Sequence, residues 1–142
     1  MKAMATLAAA GLPVGVSAAP MIPGLNDHEL PSILEAASEA GASFGFYSLV
    51  RLPGAVESIF GDWLERNFPD GKEKILARIR EYHGGARNQN IPGVRMRGRG
   101  GFASQLNQLF MITARRLGLE TGSPALRTGH VRHVLPGQGE LF

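Results

Sequence analysis

The chain has 142 residues, of which 44% are hydrophobic and 19% charged, so it is composed like one soluble globular domain and not like a disordered segment. It contains no cysteine, which excludes within this polypeptide a disulfide scaffold, a thiolate zinc site, a cysteine nucleophile and a cysteine-ligated iron–sulfur cluster. The formal net charge of +3 is uneven: residues 1–84 carry seven Lys or Arg against ten Asp or Glu, whereas residues 85–142 carry eight Arg and two Glu, a basic part on an acidic body that hints at a polyanionic partner.

Two readings compete at the N-terminus. Met1-Lys2, an alanine-rich stretch and Ser17-Ala18-Ala19 have the outline of a signal peptide with its cleavage site. The apolar stretch is weak, however, and Gly11-Leu12-Pro13 interrupts it. The preferred reading is a helix over 1–10, stopped by Gly11 with Pro13 beyond, then a strand over 13–19. That strand shows no alternation and reads as buried on both faces, as parallel strands are. Residues 20–27 form a loop rich in turn residues. A helix comes next, capped by Asp27, or by Asn26 in a capping box with Glu29; it carries Leu30, Ile33, Leu34 and Ala37 on one side and ends at Gly41.

Residues 43–52 are aromatic and β-branched enough for a second strand, stopped by Pro53-Gly54. Val56, Ile59, Phe60, Trp63 and Leu64 keep a helical period, which predicts a helix with Trp63 in the core. Asp70 is expected to cap another, with Ile75, Leu76, Ile79 and Tyr82 on one side and His83-Gly84-Gly85 at its end. Residues 86–102 have no period and read as loop; 104–117 read as a last helix; everything from Gly118 reads as a polar tail. The order is α/β, and it divides into 1–84, an α/β body, and 85–142, a basic loop, helix and tail. With two strands only, such a sheet cannot close or cover both faces, so the chain looks like the last part of a larger α/β barrel or open sheet. Exposed strand edges of this kind predict marginal stability or association. No apolar run approaches the roughly 18–20 residues that span a bilayer, and the expected location is cytoplasmic, with no membrane contact.

The segment from Gly11 to Glu29, an apolar strand running into Pro20-Met21-Ile22-Pro23-Gly24-Leu25-Asn26-Asp27, resembles the fifth strand and adjoining loop of radical S-adenosylmethionine (radical SAM) proteins. Residues 45–54 resemble the sixth and last strand, and Leu64–Pro69 with Arg95-Met96-Arg97-Gly98 resemble the extension of the subgroup known as DNA repair photolyase or spore photoproduct lyase-like. The resemblance covers nearly the whole chain and implies the last two βα units of a partial (β/α)6 barrel plus a mostly helical C-terminal extension. It implies a lyase-type enzyme that uses S-adenosylmethionine and a [4Fe–4S] cluster, and acts by hydrogen abstraction on nucleic acid or another anion. The family holds its cluster with a C-x-x-x-C-x-x-C loop, which this sequence lacks. The expectation is therefore a truncated frame, a fragment or one part of a split enzyme, inactive by itself, binding neither group fully, with the missing N-terminal barrel part as a partner.

The resemblance places Ala19, Pro20, Ile22, Leu49 and Val50 where family members hold the adenosyl part of the cofactor; packing of the barrel alone is the competing role. Arg51, a charge ending an apolar strand, either grips a carboxylate or phosphate or pairs with Asp27 or a helix carboxylate. Arg87, Arg95, Arg97 and Arg99 are the candidate nucleic-acid contacts, the alternative being that they dock on the acidic body. The other reading of the whole chain is a non-enzymatic basic module that binds nucleic acid or protein. His28 reads as exposed, His130 and His133 lack further ligand-type neighbours, Asp62, Glu65 and Arg66 read as solvated charges, and Gly98–Gly101 lacks the Lys-Ser/Thr of a phosphate loop. The terminal Gln138–Phe142 resembles the short Q-x-x-L-F peptides that dock on the bacterial sliding clamp, with Gly139 departing from the pattern; folding back onto the body is its alternative.

Overall fold

The structure is a computed structural model and describes residues 1–85, 96–122, 124 and 125. In chain order it forms α1 (Lys2–Ala9), β1 (Gly15–Met21), a 3₁₀ turn (Asp27–Glu29), α2 (Leu30–Glu39), β2 (Phe44–Leu49), α3 (Val56–Asn67), α4 (Lys72–Tyr82), α5 (Gly101–Arg116) and β3 (Glu120–Thr121). The strands make one parallel sheet in the order β1-β2-β3. The mixed α/β class is as expected. The third strand is not: Glu120 and Thr121 pair with Phe44 and Gly45, in place of a featureless tail. Two residues are too short to carry a period of two, so no pattern announces this strand.

The register runs from Gly15 opposite Phe44 to Ala18 opposite Tyr47, then shifts before Met21 meets Leu49. The shift spans Pro20, which has no N–H to give the ladder. β1 alternates after all, contrary to the expectation of burial on both faces: Val16, Ala18 and Met21 are buried while Ser17, Ala19 and Pro20 are exposed. Ser and Ala fit either environment, which is why the sequence shows no alternation. On β2, Gly45, Tyr47 and Leu49 are buried and Phe46 is 43% exposed. The sheet is therefore covered on one face and bare on the other.

The covered face meets α2 and α5. Leu30, Leu34 and Ala37 of α2, with Ala103, Leu106, Phe110 and Ala114 of α5, join Val16, Ala18, Met21, Tyr47 and Leu49 in one core. Each fully buried Leu contributes about 1.5–3 kcal/mol by leaving water. Gly45 allows the close approach, since a Cβ there would lie 3.2 Å from Val16 Cγ1 and 3.5 Å from Leu34 Cδ2. Tyr47 and Phe110 meet at a centroid distance of 5.1 Å, tilted by 55°. A second core gathers Val50 and Leu52, just past β2, with Leu64 of α3 and Ile75 and Ile79 of α4.

Gly41 stops α2 as expected: at φ +90° it lets the Ala42 N–H reach back to the Ala37 carbonyl at 2.9 Å. The capping expectations need correction. α2 starts after the 3₁₀ turn with Glu29 at its N-cap and Pro31 in its first turn, and neither Asp27 nor Asn26 caps it. Asn26 instead braces the preceding loop: its Oδ1 accepts the Ile22 N–H at 2.6 Å and its Nδ2 donates to the Pro20 carbonyl at 3.2 Å. Gly71, not Asp70, precedes α4. α3 buries Leu64 and half-buries Phe60, but Val56, Ile59 and Trp63 are exposed, Trp63 by 39%. Trp63 is thus not a core residue; it stacks on Phe60 at 5.8 Å and tilts against Phe68 at 5.4 Å. The helical period marks a stripe wider than α4 and the stretch at Val50 and Leu52 cover.

Phe44 lies over Gly15 on the bare face, where any Cβ at Gly15 would strike its ring. Gly15→Ala should therefore lower stability by about 1–3 kcal/mol by overpacking. In a Phe44→Ala background the same change should become neutral or stabilise by up to about 1 kcal/mol, because Ala restricts the unfolded chain more than Gly. Urea denaturation of the four-protein cycle measures both.

Candidate functional site

The C-terminal ends of β1 and β2 are the places where parallel sheets carry ligands. Here Ala19 and Pro20 are exposed, and Ile22 is half-buried against the second core. The Leu49 side chain faces the first core and its N–H donates to the Met96 carbonyl at 3.0 Å. Val50 faces the second core and its N–H donates to the Met21 carbonyl at 2.9 Å. The structure thus brings Ile22, Val50 and Arg51 to one end of the sheet, while the Leu49 and Val50 side chains point into two cores.

Arg51 is half-buried, and its Nε is fully buried without a hydrogen-bond partner. Among the described residues it forms no ion pair with Asp27 or any other carboxylate. The carbonyl of the preceding residue, Val50, meets a residue that sequence reasoning missed. His83 is 1% exposed, and its Nε2 lies 3.1 Å from the Val50 carbonyl. A carbonyl only accepts, so Nε2 donates there, and Nδ1 is buried without a hydrogen-bond partner. The signal was present: Ile75, Ile79, Tyr82 and His83 stand at i, i+4, i+7 and i+8, so the histidine continues the buried stripe of α4.

A concavity of about 270 Å³ lies between the loop after β1, α4 and α5. Its wall includes Asp27, exposed His28, Arg78, Tyr82 and Phe102. The Arg78 guanidinium stands 5.8 Å from the Phe102 ring centre, and Tyr82 stacks on the same ring at 6.2 Å. Burial pushes the Tyr82 phenol up to about 12, helped by the negative charge of Asp27. Burial also raises Tyr47, against the opposing pull of Arg97.

Of the four candidate arginines, Arg87 and Arg95 lie outside the described residues, as do His130, His133 and Gln138–Phe142. Arg97 and Arg99 are both exposed, and backbone bonds at Met96 and at Arg99 anchor the segment that carries them. Arg99 N–H donates to the Tyr82 carbonyl at 2.7 Å. Between them Gly98, at φ +74°, presses so close that a Cβ would lie 2.6 Å from Leu49 Cδ1 and 2.8 Å from the Tyr82 carbonyl oxygen. The two arginines line a cavity of about 430 Å³ with Tyr47, Ser104, Asn107 and Gln108. The helix α5 begins at Gly101, three residues earlier than its period suggests.

A scan against protein-family models and searches of curated proteins and of solved structures found no match to this chain. Three other charged contacts lie within or between helices of the fold. Lys72 pairs with Glu65 at 2.6 Å across α3 and α4, Arg66 Nε donates to the Asp62 carbonyl, and Arg116 pairs with Glu35 to tie α5 to α2. Among the described residues no group of three or more His, Asp or Glu could hold a metal ion, and none of their helices is long and apolar enough to cross a membrane.

These environments have two measurable effects. Tyr82 and Tyr47 ionise later in the folded than in the unfolded chain. The folded state keeps their protons longer, so this contribution to stability is full below about pH 10 and is lost as pH rises toward about 12. Absorbance at 295 nm should show one class of delayed phenol titration, and the urea midpoint should fall as pH rises from about 9 to about 11.5. Separately, Arg51→Met removes a buried donor that lacks an acceptor, whose burial costs about 1–3 kcal/mol. Thermal denaturation should find the variant as stable as the parent or up to about 1 kcal/mol more so.

Proposed function

We propose that this chain forms the ligand-facing end of a radical SAM-type α/β barrel acting by hydrogen abstraction on nucleic acid, with the catalytic cluster supplied by a cysteine-bearing polypeptide. The observation that carries the reading is the one-sided sheet. Consecutive parallel strands joined through helices bury Val16, Ala18, Tyr47 and Leu49 under α2 and α5, while Ser17, Ala19 and Phe46 stay bare on the opposite face. A barrel turns that second face inward.

The two family cofactors fare differently against these residues. A [4Fe–4S] cluster does not fit, since the chain offers no thiolate. S-adenosylmethionine finds one suitable group: the orphaned, buried Nε–H of Arg51 at the strand end is a donor that a carboxylate would satisfy. When bound, S-adenosylmethionine supplies the adenosyl group that abstracts hydrogen. This chain's part is to hold it, with Arg51 on the carboxylate and the exposed Ala19-Pro20 backbone beside it.

The second reading, a non-enzymatic nucleic-acid module, is favoured by the cavity at Arg97 and Arg99. Anaerobic purification of the tagged chain from its native cells separates the two. The barrel reading expects iron and acid-labile sulfide in the complex, and S-adenosylmethionine binding that weakens about tenfold or more in Arg51→Met, as loss of a charge-assisted hydrogen bond implies. A preparation free of iron that still retains nucleic acid overturns the barrel reading in favour of the module.

A further inference from the structure

The cavity of Arg97 and Arg99 does not end at those residues. Tyr47, Arg97 and Asn107 also line a neighbouring cavity of about 310 Å³. Its walls are Phe46 and Phe110, with Met111 at one side and Gly45 and Gly122 leaving room. The two cavities therefore form one cleft along α5 and the free edge of β2. Each lies within the range of about 300–1,000 Å³ usual for small-molecule sites.

The ends of this cleft differ in chemistry. At one end stand two guanidinium groups with the hydroxyl of Ser104 and the amides of Asn107 and Gln108, and among the described residues no carboxylate lines it. Among the described residues neither Arg97 nor Arg99 forms an ion pair. At the other end Phe46, Phe110 and Met111 supply aromatic and apolar surface beside the polar Thr121. The Tyr47 hydroxyl, 3.5 Å from Asn107 Oδ1, stands where the two ends meet.

The main chain adds a pair of recognition groups. β3 covers the edge of β2 only at Phe44 and Gly45, and the Gly122 N–H closes on the Gly45 carbonyl at 3.1 Å. Further along, the Leu49 N–H is taken by Met96. The alternation of a parallel ladder turns the N–H and C=O of Tyr47 to this same edge, between those two bonds, and no main-chain partner meets them there among the described residues. An adjacent donor and acceptor beside an aromatic wall suit the edge of a nucleobase, and two free guanidiniums suit a phosphate.

We infer that this cleft binds a nucleoside phosphate, with the phosphate at Arg97 and Arg99 and the base against Phe46 and the Tyr47 main chain. The site does not rest on the barrel reading: it uses neither Arg51 nor the strand ends, and it shares only Phe46 with the face that a barrel would turn inward. A chain without iron binds the nucleotide equally well, so failure of one reading leaves the other standing.

The test titrates the full chain with adenosine 5′-monophosphate by calorimetry, beside inorganic phosphate, adenosine and ribose 5-phosphate. The monophosphate should bind with a Kd below about 1 mM and more tightly than any of the other three. Arg97→Gln and Arg99→Gln should each weaken the nucleotide and phosphate about tenfold. Phe46→Ala should weaken the nucleotide about threefold or more and leave phosphate unchanged. No heat at about 10 mM nucleotide overturns the site. So does ribose 5-phosphate binding as tightly as the nucleotide, or an unchanged affinity in Arg97→Gln with a native far-ultraviolet spectrum. A 5′-phosphorylated thymidine octamer then separates the two sources of the ligand: displacement of the monophosphate assigns a nucleotide within a strand, and failure to displace it assigns the free nucleotide.

Discussion

Every buried backbone group of β2 needs a partner, and the molecule is arranged around that requirement. β2 alone among the three strands has neighbours on both edges. β1 pairs along nearly its whole length, and β3 reaches only its first two residues. The segment after residue 95 completes the far end by placing the Met96 carbonyl on Leu49. This bond holds Met96–Arg99 across the sheet, and a second, from Arg99 to Tyr82, fastens the same segment to α4. Gly98 makes the double attachment feasible, since no side chain would fit between Leu49 and the Tyr82 carbonyl. The position of two arginines is thus set by the pairing needs of a strand.

The same economy explains why there are two cores. α2 and α5 seal the face of the sheet, and α3 and α4 seal the stretch just past β2, at Val50 and Leu52. His83 is a polar link within the second layer, since it leaves α4 to meet the Val50 carbonyl just where β2 has ended. The surface ion pairs are secondary. Lys72 with Glu65 and Arg116 with Glu35 are largely solvent-exposed, and pairs of that kind contribute about 0–1 kcal/mol.

The α/β order was legible because strong periods and stops mark each main element. Leu30, Leu34 and Ala37 give α2 its face and Gly41 its end; Ile75, Ile79 and Tyr82 give α4 its face. The features that stayed hidden were decided by neighbours. β1 is rich in Ser and Ala, which are silent about burial, and α3 displays an apolar stripe that tertiary packing only half uses. β3 owes its existence to a free edge far earlier in the chain, at Phe44 and Gly45, and not to its own residues. The site was legible in the same uneven way. The charges at Arg51, Arg97 and Arg99 stood out by composition, whereas the aromatic and main-chain half of the cleft depends on which edge of β2 was left open.

The exposed aromatic group on α3 has an optical consequence. Trp63 is the only tryptophan of the chain, and it is flanked by Phe60 and Phe68 at the α3–α4 layer. It lines neither half of the cleft beside α5. Its emission is therefore a private reporter of how α3 and α4 sit together, with Phe60 and Phe68 as the contacts whose loosening would open the indole further to water and shift its emission to the red. The tyrosines divide the molecule differently, since Tyr47 and Tyr82 both belong to the sheet-side core. Indole emission and phenol absorbance, followed separately, give the protein two built-in spectroscopic channels, one for each of its hydrophobic layers.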